Sequence, residues 1–177
     1  MNLQETKKIL YVPGMRLYCV LDGVLVPDLP TRLAADRVPH YCIVTGDLDP
    51  DMVHAAPYLV YLAPESNFAE WVFSEAFGKG WGIFFHSHRS LLEMRRHFRA
   101  LHEVLDERGN PLRFRYYDPS VMRRFLPTCN GGELKIFFGD VAQFFVESET
   151  GNGIISYRIA NGELASLEVL KEDKANA

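Results

Sequence analysis

The sequence has few cysteines and no long apolar run, and both absences narrow the classes of protein it can encode. Its three cysteines, Cys19, Cys42 and Cys129, lie far apart and form no Cys-x-x-Cys pair, the spacing that many zinc and redox sites use. An Asp-Gly pair interrupts the apolar stretch at 17–26, which is shorter than the roughly 20 residues that span a bilayer. The N-terminus also lacks a secretory-signal pattern. We therefore predict a cytoplasmic protein without disulfides or a membrane anchor.

Signatures of catalysis are also missing. The sequence contains no glycine-rich phosphate loop, nucleophile elbow, zinc-protease motif or kinase motif. The strongest alternative is a metal-dependent hydrolase, because His86 and His88 would point the same way on a strand and His97 follows them. The arginines around these histidines would repel a divalent cation. We predict no catalytic residue, no metal and no cofactor, and the hydrolase stays an alternative.

Charge is distributed unevenly along the chain. The 19 basic and 23 acidic side chains give a net charge of −4, yet residues 89–124 contain nine arginines and are net positive. Arginine presents a planar cation that suits carboxylate recognition and protein interfaces. A nucleic-acid-binding module is a second alternative, but an isoelectric point near 5.9 argues against it. We predict neither nucleic acid nor membrane as a partner.

Short strand-like and helix-like segments alternate through the chain, which predicts a mixed α/β (α+β) fold with short helices packed on a central mixed sheet. We expect one domain over 1–170, either as one body or as two lobes of about 1–125 and 126–170, and a disordered tail at 171–177. Helix starts are predicted near Asp28, Asn67, Ser90 and Asp118. The predicted strands cover 16–21, 40–44, 57–62, 81–86, 112–117, 143–147 and 153–159.

Adjacent aromatic residues give further information about the sheet. Phe-Phe pairs occur at 84–85 and 144–145, and a Tyr-Tyr pair occurs at 116–117. Successive side chains of a strand point to opposite faces of its sheet, so each pair would place one large ring on each face. We therefore predict a sheet that is covered on both sides.

A more specific signal comes from short motifs in a fixed order. They are Ala-Pro-Tyr-Leu-Val at 56–60, His-Phe-Arg at 97–99, Phe-Arg-Tyr-Tyr-Asp-Pro at 114–119 and Phe-Phe-Gly at 137–139. In this order they resemble the adaptor or chaperone proteins encoded beside type VI secretion effectors, a family long described only as a domain of unknown function. The resemblance covers about 17–147 and departs from the family pattern at Phe98, Tyr116 and Asp140.

The resemblance implies a non-enzymatic role in bacterial competition. Such adaptors bind one effector toxin in the producing cell and promote its loading onto a spike protein of the valine-glycine-repeat family. The expected partners are therefore the toxin and the spike protein. We expect most motif residues to maintain the fold, with Asp118 as a helix cap and Arg115 as the partner of a buried carboxylate. These residues are Pro57, Tyr58, Leu59, Val60, His97, Arg115, Tyr117, Asp118, Pro119, Phe138 and Gly139.

For the contact with the partner we predict exposed arginines of the basic segment. The candidates are Arg95, Arg96, Arg99, Arg123 and Arg124, which would pair with acidic groups on the toxin. The alternative interpretation is a solvated helix face that pairs with acidic parts of the same chain.

Overall fold

The computed structural model describes residues 3–170, which form helices and strands in alternation. The strands are β1 (Arg16–Asp22), β2 (His40–Cys42), β3 (Pro57–Tyr61), β4 (Gly82–Ser87), β5 (Glu103–Leu105), β6 (Pro111–Arg113), β7 (Val141–Glu147), β8 (Gly153–Ala160) and β9 (Glu163–Leu170). The helices are α1 (Leu3–Leu10), α2 (Leu29–Ala35), α3 (Pro50–Ala55), α4 (Asn67–Glu75), α5 (Leu91–His102), α6 (Pro119–Phe125) and α7 (Gly131–Phe138), with a 3-10 turn at Leu126–Thr128.

One sheet organises the described chain. Its strand order is β2-β3-β1-β4-β7-β8-β9, and β5 and β6 form a separate hairpin. The mixed α/β class is confirmed, but every pairing in the sheet is antiparallel rather than mixed. For the two pairings of β1, the reason is its position in the sheet. Helix α4 connects β3 to β4, which run parallel to each other, but β1 lies between them and is antiparallel to both.

Helices cover both faces of the sheet, as the aromatic pairs predict. On one face, Phe84 and Phe145 belong to a core that includes buried residues of α1, α2 and α4. On the other face, Phe85 and Phe144 pack with buried residues of α5, α6 and α7. The Tyr-Tyr pair at 116–117 is also buried, but it follows β6 outside any strand.

Local capping explains where several helices begin. The predicted capping box of α5 is present, since Ser90 accepts from the amide of Glu93 and the Glu93 carboxylate accepts from the amide of Ser90. Asp118 caps α6, as predicted, by accepting from the amide of Ser120 at 2.8 Å. The cap of α4 is Ser66 rather than Asn67, because the Ser66 hydroxyl accepts from the amide of Ala69 at 3.1 Å.

Several regions differ from the sequence-based expectation, which contained neither the helices α1 and α3 nor strand β5. The predicted strand at 112–117 ends at Arg113, because the chain turns afterwards and the amide of Asp118 donates to the carbonyl of Arg115. Helix α7 was not predicted, although Asn130 and Glu133 form a capping box at its start. Strand β9 was not predicted either, and it pairs along its whole length with β8. The predicted tail at 171–177 lies outside the described residues.

The described chain contains neither a membrane-spanning helix nor a disulfide. Within residues 3–170, no helix combines the length and the apolar character that crossing a membrane requires. Cys19, Cys42 and Cys129 are all free thiols.

The close approach of β1 and β4 gives a first testable prediction. A Cβ atom at Gly82 would collide with the backbone carbonyl oxygen of Val20, so we expect Gly82→Ala to lower the free energy of unfolding by about 2–4 kcal/mol. The comparison variant is Gly14→Ala, where the added Cβ meets nothing but φ is +81°; it should cost only about 1–2 kcal/mol. Chemical denaturation measures both, and equal losses would contradict the steric account.

Candidate functional site

The motif at 56–60 builds the strand beside β1. Pro57, Tyr58, Leu59 and Val60 are all buried in β3. The Tyr58 hydroxyl donates to the carbonyl of Val53 at 3.0 Å, which ties the end of α3 to the sheet. These contacts agree with a role in maintaining the fold.

Arg115 forms the predicted ion pair with a buried carboxylate. Its partner is Asp22, the last residue of β1, whose side chain is 3% exposed. An Nη2–H of Arg115 donates to Asp22 Oδ2 at 2.8 Å, and the amide of Val24 donates to Oδ1 at 3.0 Å. Asp118 lies 3.8 Å from the same guanidinium. The ion pair therefore attaches the segment that follows β6 to the end of a central strand.

A small cleft lies next to this ion pair. Its volume is about 130 Å³, and elements from four parts of the chain contribute to it: the segment after β2, helix α3 with the start of β3, the end of α5, and β6 with the residues after it. The walls are mostly apolar, with one imidazole, one phenol and one guanidinium. The lining residues are Val44, Met52, Ala55, Ala56, Pro57, His102, Arg113 and Tyr117.

His102 is a buried polar group of the cleft that has no hydrogen-bond partner in the described chain. The residue is 5% exposed, and neither of its ring nitrogens has a hydrogen-bond partner. Its ring is stacked near that of Tyr117, with centroids 6.3 Å apart. Burial, helped by the charge of Arg113, lowers the pKa of His102, while Glu103 opposes the shift. His102 was not selected from the sequence, because His97 and His102 are five positions apart on a helix and cannot easily bind one metal ion. The available signal for a buried role was its position four residues after Phe98 on α5.

Two of the five predicted contact arginines are exposed. Arg96 and Arg124 lie at the surface, and Arg124 Nε donates to the carbonyl of Ser120 at 3.1 Å. Arg95 is half-buried instead, with its guanidinium carbon 4.7 Å from the centre of the Tyr41 ring. Arg96 and Arg124 are therefore the better placed of these three for a charged contact with another protein.

Arg99 and Arg123 are half-buried, in contrast to the predicted exposure, because both satisfy backbone carbonyls. Arg99 donates to the carbonyls of Ile43 and Val44 at 3.1 and 3.2 Å. Arg123 Nη1 donates to the carbonyl of Glu147 at 2.6 Å. Both side chains connect a helix to the segment at the end of a strand, so their substitution would disturb packing as well as charge.

The histidines of the alternative metal site lie apart. His86 Nε2 donates to the carbonyl of Leu10 at 2.6 Å on the α1 side of the sheet, and His97 Nε2 donates to the carbonyl of Phe137 at 3.0 Å on the opposite side. His88 is exposed. Within residues 3–170, no three His, Cys, Asp or Glu residues are grouped closely enough to hold a metal ion.

His97 joins two motifs by direct packing. Its ring lies against Gly139, where an added Cβ would come within 2.7 Å of the imidazole Cε1. Gly139 has φ +50° and ends α7, and its neighbour Phe138 is buried in the core on that face. The motifs at 97–99 and 137–139 are therefore adjacent in the fold.

The cleft falls within a segment that matches a known family. A family model described as a domain of unknown function, DUF4123, matches residues 17–135, which is more than half of the chain. All eight cleft residues lie inside that range. No curated protein and no solved structure matches the chain.

The ion pair beside the cleft gives a prediction for stability. Arg115→Ala leaves the buried Asp22 carboxylate without its cation, so we expect a loss of about 1–3 kcal/mol in the free energy of unfolding. This range is below that of fully buried pairs because the Arg115 side chain is 51% exposed. In a double-mutant cycle with Asp22→Asn, the losses should fall short of additivity by at least about 0.5 kcal/mol. Additive losses would show that the pair contributes no coupling.

The buried histidines give a prediction for pH. Burial lowers the pKa of His86, His97 and His102 from the ordinary value of 6.5, so the unfolded chain binds more protons than the folded one as the pH falls below that value. Stability should therefore be complete above pH 6.5 and decrease as the pH falls from 6.5 through the lowered pKa values of the folded chain. Carboxylates with a lowered pKa, such as Glu93, would reduce stability only at a lower pH, below their ordinary pKa of 4.5.

Unfolding by denaturant at several pH values measures this dependence. His86→Gln should reduce the slope because it removes one group whose pKa is lowered by burial. Stability that is constant or increases on acidification through this window would contradict the account.

Proposed function

The chain belongs to the DUF4123 family, and we propose that it is a cytoplasmic adaptor, or chaperone, for a type VI secretion effector toxin. In this role it binds one toxin in the producing cell and promotes the loading of that toxin onto a valine-glycine-repeat spike protein. The role is non-enzymatic. The proposal draws on the resemblance of the motifs to those of such adaptors.

One structural observation carries the proposal. The motifs at 56–60 and 114–119 meet at the same surface cleft, through Pro57 and Tyr117. The walls of the cleft are apolar, and the exposed Arg113 and the partly exposed Arg115 lie at or beside it. An apolar centre with arginine and aromatic residues at its edge is the composition that protein interfaces favour.

The polar groups around the cleft favour binding over catalysis. Both carboxylate oxygens of Asp22 already accept hydrogen bonds, and the acidic group nearest to the ion pair, Asp118, is occupied as a helix cap. Away from the cleft, burial raises the pKa of the Cys129 thiol, which disfavours the thiolate that a nucleophile requires. The nucleic-acid alternative also loses support, because Arg99 and Arg123 donate to backbone carbonyls rather than face solvent.

Affinity purification of the tagged protein from its native cells, followed by mass spectrometry, tests the proposal. We expect one toxin and a spike protein to be recovered with the full chain. Reversing two exposed charges with Arg96→Glu and Arg124→Glu should lower toxin recovery by about fivefold or more, because exposed charges steer association with an oppositely charged partner, with little change in the midpoint of thermal unfolding.

The matched control reverses two exposed arginines elsewhere, Arg37→Glu after α2 and Arg158→Glu on β8, and should retain wild-type recovery. Absence of any toxin from the wild-type sample would contradict the adaptor function. Equal recovery by the Arg96/Arg124 variant would instead remove those two arginines from the contact.

A further inference from the structure

The cleft beside α3 contains a buried polar side chain that the fold leaves without a partner. Both ring nitrogens of His102 are buried and unbonded, and the ring lines the cleft wall. Buried polar groups in folded proteins are nearly always hydrogen-bonded, and an unpartnered imidazole in the wall of a cleft offers a site for a hydrogen-bonding group from outside. A neutral imidazole carries one N–H donor and one acceptor nitrogen.

The side chain of Arg113 contributes a positive charge to the same cleft. Arg113 is exposed at the end of β6, and within residues 3–170 its guanidinium has no hydrogen bond or ion pair. Glu103 is its cross-strand neighbour, but the two side chains form no salt bridge in the described chain. An arginine without a carboxylate, next to an unbonded N–H donor, is suited to an anion with two acceptor oxygens.

The remaining walls restrict the form of that anion. Val44, Met52 and Ala55 supply apolar surface, which would contact methylene groups rather than the peptide amides that precede a chain terminus. The volume of about 130 Å³ is smaller than the roughly 300–1,000 Å³ of pockets for independent small molecules. It is large enough for one side chain.

We propose that this cleft is a receptor for a single acidic side chain, a glutamate of the partner protein, whose carboxylate binds between Arg113 and His102. The glutamate methylenes lie against the apolar wall, and one carboxylate oxygen accepts from the His102 ring while the other pairs with the Arg113 guanidinium. The inference rests on the proposed function only in assigning that glutamate to the toxin, since binding of the carboxylate itself needs no partner protein.

Nuclear magnetic resonance of the full chain tests the carboxylate site directly. The probe is N-acetylglutamate amide, which carries the side-chain carboxylate alone, and its neutral counterpart is N-acetylglutamine amide. We expect a saturable shift of the His102 ring resonances with the glutamate probe in the millimolar range, and binding about tenfold weaker or more with the glutamine probe. Equal shifts with both probes, or no saturable shift, would overturn the proposal.

Variants on one hairpin provide the matched control. Arg113→Gln should weaken binding of the glutamate probe by about tenfold or more, while Arg113→Lys should retain part of it because the charge remains. Arg108→Gln removes another exposed arginine, in the turn of the same β5-β6 hairpin, and should bind as the wild type does. Loss of binding in the Arg108 variant alone would overturn the assignment to Arg113.

A third probe distinguishes a side-chain carboxylate from a terminal one. N-acetylalanine, which offers a terminal carboxylate, should bind more weakly than the glutamate probe, and tighter binding would overturn the side-chain assignment.

Capture of the toxin by Arg113→Gln separates this inference from the proposed function. If the cleft receives the toxin, the variant should recover several-fold less toxin than Arg108→Gln from the same cells. Undiminished capture by a variant that no longer binds the glutamate probe would contradict the assignment of the glutamate to the toxin. Failure of the wild-type chain to capture any toxin would contradict the adaptor function and leave the probe result standing.

Discussion

The ion pair between Arg115 and the buried carboxylate of Asp22 is the contact on which the candidate site depends. The segment at 114–118, between β6 and α6, belongs to no strand, and Arg115 fixes it to the end of β1. This attachment places Tyr117 next to His102 and brings Arg113 to the same cleft. The helix that begins after Asp118 starts from the same fixed point. A fold requirement, the neutralisation of one buried carboxylate, therefore also positions the groups of the cleft.

Much of the architecture could be predicted because both faces of the sheet are buried. Paired phenylalanines at 84–85 and 144–145 require cover on two sides, and the helices provide it. Strand direction was harder to predict, since an alternation of strands and helices suggests parallel neighbours, whereas the insertion of β1 between the parallel strands β3 and β4 makes both pairings of β1 antiparallel. Strand β9 carries two glutamates and exposed residues with no strong apolar alternation, so its pairing with β8 is a tertiary effect.

The candidate site could be predicted only in part, for reasons that individual residues make clear. Arg115 was correctly expected to reach a buried carboxylate, but its partner lies 93 positions away and no local pattern identifies it. Helical spacing placed Arg99 on a solvated face, yet it reaches the carbonyls of Ile43 and Val44. His102 is visible in the sequence as part of an apolar stripe, whereas its lack of a hydrogen-bond partner depends on elements that only the fold brings together.

Hydrogen–deuterium exchange on the chain alone and in complex with its captured toxin tests the central claim, that this cleft is where the adaptor meets its partner. The account predicts that toxin binding slows exchange in the segments that form the cleft, at 44–57 and 102–117, because the partner excludes water from their amides. The outer strands β8 and β9 should exchange at unchanged rates. Protection confined to β8 and β9, with the cleft segments unaffected, would contradict the account.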